Sequence, residues 1–209
     1  MREVNSNNVI KEVEQIVEKA CSSDTNVFGY GIWTHHILQV AMIGKKIAER
    51  FNADPEIVEI AALLHDYAGI KDHSLHKEHH MHGAVEGGKI LTDLNYPEQK
   101  IEAVKHCIKN HRGSVPGKRG TPEAECLASA DAIAHIENVP SLFYLAYAKF
   151  DMEIDDGADW IRKKLNRTWN KINPEIRYLV EEKYNAALLM TDRVSKYKKF
   201  SFGNDKIVD

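Results

Sequence analysis

Apolar residues recur along this chain at intervals of three and four, the period of a helix face, while the strict alternation of a strand is scarce. The pattern predicts an all-α protein, a single-domain helical bundle of about nine helices. Val9, Val13, Ile16, Val17 and Ala20 form one stripe behind Ser6, a residue suited to capping. A second stripe runs Ile37, Val40, Ala41, Gly44, Ile47, Ala48 and Phe51, with Thr34 as its cap. Asp54-Pro55 opens a third helix, IVEIAALL, which is apolar on most sides and so predicted to be buried on most sides; it ends at His65-Asp66. Between Tyr67 and His82 the period lapses and the text reads as a polar loop. Helical spacing resumes from Ala84 to Leu94, again after Pro97 through Ile108, and again from Thr121-Pro122 through Ala134. Between these last two, RGSVPGKRG at 112–120 reads as an exposed loop. Pro140 starts a short helix, and two longer ones are expected from about Asp156 to Ile172 and from Pro174 to about Lys199.

A length of 209 residues fits one core. The 28 Lys and Arg against 31 Asp and Glu leave no basic field for sequence-specific or nonspecific nucleic-acid binding. No apolar run reaches membrane-spanning length and the N-terminus mixes acids and amides, so the expectation is a cytoplasmic protein with no membrane partner. Cys21, Cys107 and Cys126 lie far apart with no CxxC pair, which argues against both a disulfide framework and a thiolate zinc site. They read as small core residues.

Histidine is where the composition departs from the ordinary. Of 11 in all, eight fall between His65 and His111, and five of those crowd into His73 to His82. His65-Asp66 closes a very apolar helix, where an imidazole beside a carboxylate is costly to bury without a metal or a hydrogen-bonding partner. Alone, that pair reads better as a helix C-terminus complemented by His65 and a turn capped by Asp66. Its surroundings change the weighing. His36 opens H-I-L-Q-V; His79, His80 and His82 precede a helix in H-H-M-H-G-A; His106 and His111 sit in A-V-K-H-C-I-K-N-H-R; and A-S-A-D-A-I puts Asp131 inside an apolar helix.

The order H...HD...H...H...D on successive helices, over about residues 30 to 137, resembles the HD-domain superfamily of metal-dependent phosphohydrolases. The resemblance implies that His36, His65, Asp66 and Asp131 form the metal-binding core, with His79 and His111 at the positions that ligate a second metal in dinuclear members. His82 and His106 are further candidates, and His35 and His80 compete with their neighbours. One or two divalent ions (Mn, Fe, Co, Zn or Mg) are implied as cofactors. A coordinated water with its pKa lowered towards neutrality would attack a phosphoryl group, with Asp66 as ligand and proton acceptor. Lys71, Arg112, Lys118 and Arg119 are the basic residues nearest in sequence to the ligand-bearing segments, and Lys71 and Arg112 are the catalytic candidates among them. The implied partner is a small phosphorylated substrate, a nucleotide or similar metabolite; the oligomeric state is not legible. Two other readings stand beside this one: a di-iron oxygenase of the same superfamily, and a noncatalytic nucleotide-binding regulatory module.

The expected organisation is an N-terminal helix in 1–29 packing on an HD core at 30–137, helices in 138–199 packing on the same core, and a flexible tail at 200–209. Gly83, Gly87 and Gly88 form no phosphate loop, since no strand precedes them and no Lys-Ser/Thr pair follows; they read as helix-packing residues. His73, His76 and His135 read as solvent histidines. Residues 151 to 160 carry five acids and no base, whereas 161 to 200 carry eleven bases and four acids, which reads as solvated helix faces with a docking face for an anionic partner as the rival. Trp160, Trp169 and Tyr184 read as core.

Overall fold

A computed structural model describes residues 6–112 and 119–192. Among them are ten α-helices and no strand: α1 (Ser6–Cys21), α2 (Leu38–Arg50), α3 (Pro55–Leu64), α4 (Tyr67–Lys71), α5 (His79–Asp93), α6 (Glu98–Asn110), α7 (Pro122–Glu137), α8 (Val139–Phe143), α9 (Ile154–Lys171) and α10 (Glu181–Met190). Lys118, the tail at 200–209 and the expected helix end at Lys199 lie outside the described residues.

Helix α3 is the central strut. Asp54 accepts from the backbone N–H groups of Glu56 and Ile57 at 2.9 and 3.4 Å, Pro55 supplies the first helical residue, and Ile57, Val58 and Ile60 through Leu64 are all buried. It packs against α1, α2, α6 and α7. Helix α7 starts with the same chemistry, Thr121 accepting from the Ala124 N–H at 3.2 Å ahead of Pro122, and is buried almost throughout. Glycines bring α5 against α3 and α6: a Cβ at Gly83 would lie 3.3 Å from the His65 carbonyl, and one at Gly87 3.3 Å from Ile108. That close approach seats the His79 end of α5 beside the end of α3.

Four expectations are corrected. Thr34 does not cap α2. The helix extends upstream as a π turn over Trp33–Ile37, and the Thr34 hydroxyl lies 2.7 Å from His35 Nδ1. The stretch from Tyr67 to His82 is helical rather than loop: α4, a 3-10 turn at His73–Glu78, and α5 already begun at His79. Short polar turns carry too little apolar period to be read as helix. The long C-terminal helix expected from Pro174 is broken into a 3-10 turn at Pro174–Leu179 followed by α10, because Asn173 caps the turn through the Glu175 N–H and Val180 leaves helical geometry. The short helix at Pro140 runs into a second π turn at Tyr144–Lys149.

Candidate metal centre and its cavity

Six polar side chains from five places in the chain meet at one end of a cavity of about 780 Å³. His36 comes from the π turn and is buried, while its neighbour His35 is exposed on the cavity wall. His65 ends α3, Asp66 begins α4, His79 opens α5, His111 ends α6, and Asp131 lies midway along α7. His36, His65, His79, His111 and Asp131 are buried and Asp66 is nearly so.

Three of the rings are held in the same manner. Nδ1 of His65 donates to the Ala62 carbonyl at 2.6 Å, that of His79 to His76 at 2.7 Å, and that of His111 to Ile108 at 2.6 Å. A carbonyl only accepts, so Nδ1 carries a proton, and whenever such a ring is neutral its Nε2 is a bare lone pair. These lone pairs converge. His65 Nε2 lies 3.2 Å from His36 Nε2, and His79 Nε2 lies 3.2 Å from His111 Nε2 and 3.2 Å from Asp66 Oδ1. Asp66 Oδ2 is 3.4 Å from His36 Nε2 and 3.3 Å from His65 Nε2, and Asp131 Oδ1 is 3.5 Å from His36 Nε2. Facing lone pairs and carboxylates repel one another unless positive charge lies among them, so the donor set fits a divalent cation. Two overlapping groups have all donor atoms within 4.8 Å: His36, His65 and Asp131; and His65, Asp66 and His111.

The electrostatics agree. Burial alone would raise the Asp66 carboxyl, yet the surrounding His65, His36 and His79 rings hold it well below the usual carboxylate range. Asp131 is likewise held down against burial, chiefly by Lys171 and then by His135 and His36. Burial pulls the His65 ring down, but Asp66 outweighs it and leaves His65 above the ordinary histidine value. Burial, with His65 and Lys171 nearby, keeps His111 well below its ordinary value and neutral.

The opposite wall of the cavity is α9. Lys164, Arg167 and Lys171 stand at i, i+3 and i+7 on one helix face, and all three line the cavity, as does Arg112. Lys171 Nζ donates to Asp131 Oδ2. Lys164 has no ion-pair partner among the described residues; burial and the Lys171 charge hold its ammonium below the usual lysine range, although Asp131 pulls the other way. These three cations escaped the motif-based candidates because no motif contains them. Their signal was the helical spacing within the basic stretch after Ile161.

His135 also needs correcting. It is no solvent residue: its ring stacks on His36 with centroids 4.5 Å apart and planes at 18°, and its Nε2 lies 3.3 Å from Asp131 Oδ1. His76, although exposed, lines the cavity and stacks on His79 at 5.3 Å. Other candidates fall elsewhere. Lys71 is on the surface, 3.1 Å from Glu86; His82 is exposed; and His106 Nε2 lies 2.7 Å from the Arg119 carbonyl, away from the cluster. Arg119 pairs with Glu125 at 2.8 Å. Cys21, Cys107 and Cys126 are free and buried, their thiols pushed up by burial, for Cys21 and Cys126 to about 12. They are core residues.

Fold and geometry together define a helical protein with a buried histidine–aspartate cluster that could hold a metal ion. The HD domain matches residues 33–136, and the chain belongs to the HD-domain superfamily. Solved structures share the fold. The chain aligns with YpgQ of Bacillus subtilis at a TM-score of 0.66 and 20% identity, covering 88% of this chain and 92% of that one. A second structure of YpgQ, in complex with ADP, aligns at 0.64. A predicted HD superfamily hydrolase from an uncultured Thermotogales bacterium aligns at 0.58 and 18% identity over 86% and 87% of the two chains. Among curated proteins, Ribonuclease Y of Petrotoga mobilis is 31% identical over 99 residues, which is 47% of this chain but 17% of that much longer relative. No helix among the described residues is long and apolar enough to cross a membrane.

Proposed function

We propose that this protein is a metal-dependent phosphohydrolase acting on a phosphate ester of a nucleotide or a similar small phosphorylated metabolite. The observation that carries the reading is the sharing of one cavity by the histidine–aspartate cluster and four cationic side chains, Arg112, Lys164, Arg167 and Lys171. Donors that suit a divalent ion stand where donors that suit a phosphate stand opposite. The ADP bound to YpgQ, a fold neighbour, supports a nucleotide as the substrate class.

His36, His65, Asp66 and Asp131 would hold one ion, and His79 and His111 with Asp66 a second. A divalent ion there supplies Lewis acidity and a coordinated water of near-neutral pKa. The chain's own groups do the rest. Asp66, kept ionised by its histidine neighbours, accepts the proton of the attacking water. Arg112, its guanidinium braced on the Lys77 carbonyl, and Lys171 donate to the phosphoryl oxygens as negative charge builds there. His135 stacks behind His36 and holds it in place.

The test is metal content of the protein as isolated, paired with phosphate release from a nucleotide panel before and after chelation and after Mn or Co is returned. Chelator-sensitive release supports the reading; near two ions per chain brings His79 and His111 into the ligand set, and near one restricts it to the first four. Tightly held iron with no phosphate release overturns it in favour of oxygen chemistry.

A further inference from the structure

Helices α7 and α9 run antiparallel along the cavity, and their pairings set a scale. The Asn173 N–H donates to Ser129 Oγ at 3.1 Å, Lys171 meets Asp131, and further along the Lys164 charge acts on His135. Moving up α7 is therefore moving down α9. One turn past His135 lies Asn138, and one turn before Lys164 lies Trp160. Trp160 and Lys171 are separated by roughly 16 Å at 1.5 Å per residue. The cavity thus has two ends: ligands and cations at the Asp131–Lys171 level, aromatic and apolar groups at the Asn138–Trp160 level.

That second end has a defined chemistry. Trp160 stands edge-to-face with Phe150, ring centroids 5.6 Å apart at 77°, and Phe150, with 36% of its surface exposed, also lines the cavity. The chain's other tryptophans have full protein partners: Trp33 is buried, and Trp169 stacks flat on Tyr184 at 4.3 Å. Leu142 and Leu145 add apolar wall. Among these surfaces sit two polar side chains, the Asn138 amide and the Ser141 hydroxyl, which line the cavity and make no side-chain hydrogen bond among the described residues. A purely aliphatic occupant would leave both unmet. A flat ring with hydrogen-bonding edges meets the rings and the edges together.

We propose that Trp160, Phe150, Asn138 and Ser141 form a base-binding subsite: the heteroaromatic base of a nucleotide lies against the Trp160–Phe150 pair, with its edge towards Asn138 and Ser141 and its phosphate towards Lys171. Trp160 is then a specificity-determining residue. Only the direction in which the phosphate points rests on the phosphohydrolase reading.

Calorimetric titration in the presence of Mg²⁺, with adenosine 5′-monophosphate and ribose 5-phosphate as probes, tests it. The wild type is expected to prefer the nucleotide roughly tenfold or more, the scale of one base–aromatic stack. Trp160→Ala should bring that ratio to within about twofold of unity, and Trp160→Phe should restore most of it. Should Trp160→Ala misfold, Asn138→Asp gives an independent reading. Exchanging an amide donor for an acceptor should favour adenosine monophosphate over purine riboside monophosphate, whose ring lacks the amino donor. Equal binding of the two probes by the wild type, or an unchanged ratio in Trp160→Ala, overturns the subsite even where turnover is intact. A base preference that depends on Trp160 in a protein that hydrolyses no phosphate ester upholds the subsite and overturns the hydrolase reading alone.

Discussion

The candidate ligand cluster draws His36, His65-Asp66, His79, His111 and Asp131 from five places in the chain, whereas Lys164, Arg167 and Lys171, three of the four Lys and Arg side chains lining the cavity, come from one face of one helix, α9. In the cluster, three imidazoles are pinned by a backbone carbonyl three residues back, and every donor touches at least one other. On α9 only Lys171 is tied to the cluster, while Lys164 and Arg167 reach into the cavity with no ion-pair partner among the described residues. The two regions divide the labour between them. A group that must hold charge in fixed geometry is built redundantly from many elements; a group that must recognise can be changed one side chain at a time.

The largest effect that would sharpen this contrast is expected at the cluster. Asp66→Ala should remove most bound metal and lower kcat by roughly 10³-fold, about 4 kcal/mol of transition-state stabilisation, with the far-ultraviolet circular dichroism unchanged. Full metal content in both Asp66→Ala and His65→Ala would sink the assignment. Next comes His135→Ala, which touches no substrate in this reading; it should weaken metal affinity by roughly 10- to 100-fold, checked by competition with a chromogenic chelator. Comparable in size, but different in kind, is Lys171→Met: kcat/KM should fall by roughly 10- to 100-fold, with metal content largely kept.

A pH experiment separates the two regions differently. In the chelated protein His111 and His135 are held below their ordinary value by burial, so the unfolded chain takes up protons that the folded chain refuses. Stability from these two is complete above the unfolded histidine value of about 6.5 and is lost as pH falls below it. His65 is shifted upward and works in the opposite sense, its contribution fading as pH rises through its folded value. His76 and His80 are also held down by burial, so four groups stand against one, and Tm of the chelated protein should drop between pH 7.5 and 5.0, and less so in His135→Gln. The carboxylates add a second loss only at lower pH, as Asp66 and Asp131 are depressed below about 3.9. The smallest effect is expected for Lys71→Ala and His82→Ala, both on the surface: turnover within about twofold and stability within about 0.5 kcal/mol of the parent. A large loss in either would break the division just drawn.

Much of the cluster was legible because its members are chemically out of place. A carboxylate at Asp131 among alanines and an imidazole at the end of IVEIAALL announce themselves by the cost of burying them. The helices with strong caps, α3 at Asp54-Pro55 and α7 at Thr121-Pro122, were legible for the same local reason. What stayed hidden depends on tertiary contact. Nothing in A-I-A-H-I-E distinguishes a surface histidine from one stacked on His36, and nothing around Lys71 tells that it pairs with Glu86 on the outside. The face of α9 could be read as amphipathic, but its partner could not, because an exposed helix and one closing a cavity carry the same charges. The π turn was invisible for a further reason: one additional residue in a turn leaves the apolar period on either side intact.

That π turn bears on how the protein tolerates insertion and deletion. At Trp33–Ile37 the helix accommodates one residue more than an α-turn would, and so works as a splice between two helical registers. His36 belongs to the register of α2, while Gly31 and Ile32, helical residues on the cavity wall, belong to the one before it. Loss of a single codon at Thr34 would leave His36 facing the cluster and turn everything upstream of it by about 100°. Between Gly31 and His36 the reading frame of the helix, more than the identity of any one side chain, is what this segment has to keep.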